Sequence, residues 1–397
     1  MQLLILADDF TGAGDAAAPF AAWHGTLVVL SAAQSRPLWE GEQTGVDVLA
    51  VDLDLRECSD QQAQRETEAA ARQLCSQDHA GRVFLKIDST LRGPVAGLVA
   101  GALTGSGKDV AVIAPAFPEQ GRVLREGTVV VDGEPGASVL ALLGRGGSAL
   151  IGATSAGSAE EVERAVEEAR MRGVQRVVVD ADAAECLRSV AGAWRRHPEW
   201  LLVGSGGLAR QVAERGVPER GLGIGTLSGP ILIIAGSPTA VTRGQIDCLV
   251  RSTPPGGHAE AGQIGSVAVL EATPARAHLS RPAVPHAVLV LRTPMTRTRD
   301  EGEWAQAVAD TVAEWSRTLV PAAVVLAGGA TGRRVLEQLG SAGVRLSGEL
   351  SPGVPIGRLV GGVWDHVLVV TKAGGFGSPD TLLDVVRSVG VLSTPQP

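Results

Sequence analysis

Lysine is nearly missing from this 397-residue chain: of 35 basic residues only Lys86, Lys108 and Lys372 are lysines, and the rest are arginines. A chain that otherwise uses arginine keeps lysine where a compact ammonium is wanted, and Lys86 and Lys372 both stand at strand ends beside glycine-rich turns. No basic tract exists and the formal net charge is −8, which argues against nucleic acid as a partner, since a phosphate backbone calls for clustered positive charge. Cysteine is sparse: Cys58, Cys75, Cys186 and Cys248 form no CxxC pair, and the seven histidines form no HExxH. No metal site is expected from that pattern, and the thiols read as the reduced cysteines of a cytoplasmic protein. Long apolar runs are lacking, so no membrane span is expected. The run Leu3 to Ala7 is too short, and lacks the basic flank, for a secretion signal. Internal repeats are absent. Two nucleotide-binding signatures are missing as well. ALTGSGKD (102–109) lacks the first glycine of a P-loop and puts Asp109 where Ser or Thr belongs, and no GxGxxG opens a helix after a strand.

What is present is a globular composition, 45% hydrophobic and 20% charged, long enough for two domains with separate cores. Short β-branched or Leu-rich runs fall at 2–7, 26–30, 47–51, 82–87, 110–114, 176–180 and 200–204. Amphipathic segments at 60–77, 158–172, 183–196 and 206–215 lie between several of them. A second set has strands near 231–235, 266–270, 287–291, 322–327 and 366–370, with helices near 238–251, 302–318, 331–341 and 379–389. Such alternation predicts parallel sheet with crossover helices. The Gly/Pro-rich stretch 216–229 predicts a linker, and 252–286 reads as containing a long loop. The expected fold is α/β in two domains, 1–220 and 229–397, each a mainly parallel sheet flanked by helices, with an active site in the cleft between them.

Ligands of parallel α/β sheets gather at strand carboxyl ends, and polar residues cluster there. ADDFTGAGD (7–15) follows the first strand. Asp8 or Asp9 could accept a proton from a hydroxyl, and Thr11, Gly12 and Gly14 predict a tight turn into a helix starting near Asp15. FLKIDSTLRG (84–93) ends a strand in Lys86 and Asp88, then Ser89, Arg92 and Gly93. Arg92 can grip a carboxylate bidentately, Lys86 adds a point charge, and Gly93 admits close backbone approach. In VIAPAFPEQGR (112–122), prolines stiffen a loop that presents Arg122 as a second positive group.

Three further turns share a strand–glycine–helix form. AGSPTAVT carries Ser237 and Thr239. VVLAGGATGRRVL carries Gly328, Gly329, Ala330 and Thr331, with Thr331 as the expected helix cap. VVTKAGGFGSPDTL carries Lys372, Gly374 and Gly375, with Ser378 as a cap and Pro379 in the first helical turn. α/β architecture alone produces such turns. Three in one half, each offering free amides and a helix dipole, favour a phosphate cradle.

Taken together, ADDFTGAGD, KIDSTLRG, APAFPEQGR, GSGGLA, AGSPTAVTRGQ, AGGATG and KAGGFGSPDTL resemble, in order and over most of the chain, the four-carbon acid sugar kinase family. The resemblance implies ATP-dependent, Mg²⁺-assisted phosphorylation of the 4-hydroxyl of a tetronate or 3-oxo-tetronate. It implies acid sugar in the first domain, facing Asp8, Asp9, Arg92 and Gly93, and ATP in the second, facing Ser237, Gly328 to Thr331 and Gly374. Ala330 stands where the family usually has an acid, and Gly375 where it commonly has Asn. Two alternatives stay open: a non-catalytic binding protein on this scaffold, and a ribokinase-type sugar kinase, to which GAGD (12–15) is similar. Which acid sugar, which aspartate is the base, and whether the chain forms a homo-oligomer are not decided by the sequence.

Overall fold

The computed structural model describes residues 2–31, 36–39, 44–75, 81–144, 146–153, 156–213, 222, 229–253, 266–273, 279, 288–294 and 301–393. Most of the expected linker and much of 252–286 lie outside them. The chain divides into two compact units, Met1–Pro218 and Glu219–Pro397. No helix among the described residues is long and apolar enough to cross a membrane.

In chain order the first unit contains β1 (Leu3–Ala7), α1 (Phe10–Ala17), β2 (Thr26–Val29), β3 (Val48–Asp52), α2 (Asp60–Cys75), β4 (Arg82–Lys86), α3 (Val95–Ser106) and β5 (Val110–Ala114). There follow β6 (Arg122–Arg125), β7 (Thr128–Val131), β8 (Glu134–Ser138), α4 (Val139–Leu143), β9 (Ser148–Ile151), α5 (Ala159–Met171), β10 (Arg176–Val179), α6 (Ala184–Arg196), β11 (Trp200–Gly204) and α7 (Gly206–Ala213). Its main sheet runs β2-β3-β1-β4-β11-β5-β10-β9 and every pairing is parallel. Helices on both faces explain why β1, β3 and β5 are buried along their whole length and read as unbroken apolar runs. Each fully buried Leu or Ile contributes about 1.5–3 kcal/mol. Register fixes the site: Ala7 aligns with Asp52 of β3 and with Lys86 of β4, so the residues after these three strands emerge side by side.

The second unit contains β12 (Ile231–Ala235), α8 (Ala240–Arg251), β13 (Val267–Glu271), β14 (Val288–Arg292), α9 (Glu301–Trp315), β15 (Ala323–Ala327), α10 (Gly329–Gln338), β16 (Gly343–Ser351), β17 (Val354–Val360), β18 (Leu368–Lys372) and α11 (Thr381–Ser393). Strands β13-β14-β12-β15-β18 are parallel, and the β17-β16 hairpin continues the order in antiparallel sense. The core of this unit is Ile233, Val290, Val325, Val370 and Leu382 with their neighbours.

Several local expectations are corrected. The first helix starts at Phe10, not near Asp15, because the Asp9 side chain caps it by accepting from Gly12 N at 2.8 Å. GAGD therefore lies inside a helix, and Ala13 N is spent on the Asp9 carbonyl. An open anion hole at that string, on which the ribokinase-type reading rested, does not form. Thr331 is not a cap: α10 is preceded by Gly328 at φ +123° with no side-chain cap, and Thr331 is buried within the first turn. The last helix begins at Thr381, with Ser378 Oγ 3.3 Å from Thr381 Oγ1.

Helix α3 falls outside the amphipathic segments expected above. Its Gly97, Gly101 and Gly105, four residues apart, lie on the backbone of α2 at Asp60, Gln64 and Glu68, also four apart. Any Cβ on that stripe would strike main-chain oxygen, so glycine here permits close helix packing. Asp60 Oδ1 also accepts from Gly97 N at 2.9 Å, satisfying an amide of the first turn. The antiparallel sheet β6-β7-β8 and the β16–β17 hairpin were likewise not anticipated.

Candidate functional site

In the first unit, one residue absent from the sequence-based set organises the rest. Arg56 lies on the loop after β3, held there because Leu53 N donates to Ala7 O and Leu55 N to Asp8 O. Its Nε donates to Asp8 Oδ2 at 2.7 Å and its Nη2 to Asp8 Oδ1 at 2.8 Å and Asp9 Oδ1 at 2.9 Å. Asp88 Oδ2 lies 4.0 Å away. The available signal was an arginine just beyond a strand end, in VDLDLRE. What was missing was knowledge that β3 lies next to β1.

The two adjacent aspartates differ. Asp8 is fully buried and both its oxygens are engaged by one guanidinium fork. Burial pushes its carboxyl up from 3.8, against the pull of Arg56. Asp9 is partly exposed, with Thr11 Oγ1 donating to Oδ2 at 2.7 Å. Burial would lower the Arg56 guanidinium, but Asp9 and Asp8 beside it hold it above its ordinary value.

Asp88 opens an Asx-type turn, accepting from Thr90 N at 2.8 Å and from Thr90 Oγ1. Arg92 Nη2 donates to its other oxygen at 2.5 Å. Burial works to raise the Asp88 carboxyl, yet the Arg92 hydrogen bond and the Arg56 charge hold it well below the usual range. Ser89 is buried in the same turn. Gly93, at φ +88°, lies against Arg56 O and Asp8 Oδ2, where a Cβ would sit 3.2 and 3.4 Å from them. Arg122, at the start of β6, is half-buried. Burial depresses its guanidinium, with Asp88, Asp132 and Asp15 the acids around it. Asp15 is packed against Gly206, where α7 begins. Asp8, Asp9, Lys86, Asp88 and Gly93 are thus brought together around Arg56, and Arg92 and Arg122 share the field of Asp88.

The three turns of the second unit interlock. Ser237 lies between Gly328 and Gly374: its amide is 3.2 Å from a Cβ position at Gly328, and any Cβ on Gly374 would strike its hydroxyl. The carbonyl of Gly374 accepts from Thr239 Oγ1 at 2.8 Å, Thr242 Oγ1 at 2.7 Å and Lys372 Nζ at 3.4 Å. Lys372 Nζ also donates to Ala373 O at 2.8 Å. Gly328 N donates to Lys372 O at 3.0 Å, which joins the second turn to the third. Gln245 Nε2 secures the loop beyond by donating to Phe376 O and Ser378 O. Thr331 is wedged against Gly236, leaving the Gly329, Ala330 and Thr331 amides at the start of α10 as donors without intrahelical acceptors. Gly375 is exposed, with open space beside it. Lys372 is fully buried, and burial lowers its ammonium from 10.5 to about 8.

One α/β unit with carboxylates and cations at its strand ends, and another with a glycine-turn cradle suited to an anion, define a two-domain α/β protein with a candidate small-molecule site in each unit. Comparison with known proteins gives the family. A family model described as "Sugar-binding N-terminal domain" matches residues 3–141 and one described as "Nucleotide-binding C-terminal domain" matches residues 232–382. The D-threonate kinase of Bordetella bronchiseptica is 31% identical over 97% of this chain and 96% of its own length. The 3-oxo-tetronate kinase of Burkholderia multivorans is 26% identical over 97% and 96%. Among solved structures, a Salmonella typhimurium LT2 protein superposes with TM-score 0.75 at 21% identity, covering 98% of this chain and 99% of that one. Haemophilus influenzae protein HI1011 does so at 0.68 and 19%, with the same coverage. Those two likenesses are of fold. The chain belongs to the four-carbon acid sugar kinase family.

Proposed function

We propose that this protein transfers the γ-phosphoryl group of ATP to the 4-hydroxyl of a four-carbon acid sugar of the threonate, erythronate or 3-oxo-tetronate type. The observation that carries the reading is the division of chemistry between the units: acid–base and cationic side chains in the first, backbone amides and one buried lysine in the second. The relatives' names, D-threonate kinase and 3-oxo-tetronate kinase, support the substrate class. Asp9, the more exposed aspartate, is the candidate base, with Asp8 fixed beneath it. Arg92 and Arg122 are the candidate partners of the sugar carboxylate. Ser237, Gly328 to Thr331, Lys372, Gly374 and Gly375 are the candidate ATP contacts. Phosphoryl transfer rests mostly on positioning and charge neutralisation, which suits such residues.

Mg²⁺ would supply charge neutralisation on the phosphates. The turns GSPT, AGGAT and KAGG carry no carboxylate, which fits an ion held chiefly by phosphate oxygens and water, as Mg²⁺ usually is. Purified protein with Mg·ATP should release ADP on addition of at least one of the threonate, erythronate and 3-oxo-tetronate isomers, and phosphorus NMR should place the new ester at C4. ADP release no faster than the sugar-free rate across the whole panel would sink the reading. Calorimetric binding without turnover would instead favour a binding protein on this scaffold.

A further inference from the structure

Lys86 is 5% exposed and lies in the field of Asp8, and among the described residues its Nζ makes no hydrogen bond or ion pair. Two other cations of the first-unit cluster are committed to ion pairs, Arg56 to Asp8 and Asp9 and Arg92 to Asp88. None of the three donors of the Lys86 ammonium is committed to another described residue, so they are available to a ligand. The Nζ ends 3.1 Å from the point where a side chain at Gly12 would begin, and Asp9 Oδ1 borders that same point. Lys86 and Asp9 stand beyond ion-pair distance from each other. Both groups reach that point only because residue 12 is glycine: a Cβ there would stand 2.4 Å from Asp9 Oδ1.

We propose that the space over Gly12, walled by Asp9 Oδ1 and Lys86 Nζ, seats the reacting hydroxyl, and that Lys86, not Arg92, supplies the positive charge there. This rests on the kinase reading and deepens it by locating the reacting atom. As the sugar oxygen bonds to the γ-phosphorus, its proton passes to the Asp9 carboxylate. The bond from that phosphorus to the bridging oxygen of ATP breaks, and ADP leaves with the electron pair. Lys86 keeps its protons throughout and faces the oxygen as negative charge builds on it. Electrostatic stabilisation of that kind acts in the transition state and so appears in kcat. Arg92, with a side chain 64% exposed, belongs to ground-state binding at the rim.

The test compares Lys86→Met and Arg92→Ala with the parent under Mg·ATP and the best sugar acid of the panel, with melting curves alongside. K86M should lose at least about 100-fold in kcat with the sugar KM within about threefold, and should melt no lower than the parent. R92A should raise KM and keep most of kcat. Gly12→Ala, which fills the seat, should lose turnover while ATP binding, measured by calorimetry, is retained. Activity loss combined with undiminished stability is a signature that a structural lysine does not produce. The proposal is overturned if K86M keeps kcat near the parent's, or if its loss of activity only tracks a lowered melting temperature. A parent with no turnover on the panel refutes the kinase reading itself, a separate result from an active parent with an unaffected K86M.

Discussion

Arg56 gives one residue's account of why two neighbouring aspartates are not equivalent. Its fork saturates Asp8, and its remaining bond steadies Asp9 on the side opposite Thr11. A guanidinium does this and an ammonium does not, because the two parallel N–H groups match the two carboxylate oxygens. Removing Arg56 alone leaves Asp8 buried without its ion-pair partner, which costs about 3–5 kcal/mol. Removing both charges leaves a polar but neutral pair. Arg56→Gln should therefore lower the unfolding free energy by that amount, while the double variant Asp8→Asn/Arg56→Gln should recover at least half of the loss in denaturant titrations. Additive losses in the double variant would show that the pair is not the unit the geometry makes it.

At the scale of elements, the α2–α3 pair shows what glycine does when it is not in a turn. Gly→Ala inside an exposed helix ordinarily stabilises by up to about 1 kcal/mol. Gly244 in α8 has nothing within 4 Å of a Cβ and should follow that rule. On Gly101 a Cβ would come 2.9 Å from Thr67 Cβ and 3.0 Å from Glu68 N, and closer still to Gln64 O. Overpacking of this kind costs about 1–3 kcal/mol. Thermal melts should thus show opposite signs for Gly244→Ala and Gly101→Ala; a stabilised G101A would mean the helices separate freely. The same contact explains the limit of the sequence reading. VAGLVAGALTGS places glycine at every fourth position, and only the facing backbone of α2 gives those glycines their purpose. Strands such as ILIIA and AVVLA, by contrast, were legible because burial on both faces leaves an unbroken apolar signature.

For the molecule as a whole, the clustering of candidate residues after strands was legible because parallel sheets present their carboxyl ends on one edge. Asp8, Lys86, Asp88 and Gly374 were singled out as candidates that way. Arg56 was not, since its neighbours depend on the order β2-β3-β1-β4, a long-range property no local pattern encodes. Each unit draws its site from its own strands, so the two ligand sites should be separable by single substitutions, and Lys372 gives the sharpest test. Unfolded, it keeps its proton to 10.5; folded, burial makes it give that proton up near about 8. Between those values the unfolded chain binds more protons, so this group makes stability rise with pH across the window, and its destabilising effect is fully present below it. A polyphosphate beside the ammonium favours the charged form, so at pH values just above 8 Lys372 should take up a proton when ATP binds. Titration calorimetry in buffers of different ionisation enthalpy should show that uptake. Lys372→Met should abolish it and weaken ATP binding, while affinity for the sugar acid stays that of the parent. Persistent proton uptake in the variant would move the titrating group elsewhere, and a parallel loss of sugar affinity would mean the two units do not bind their ligands independently.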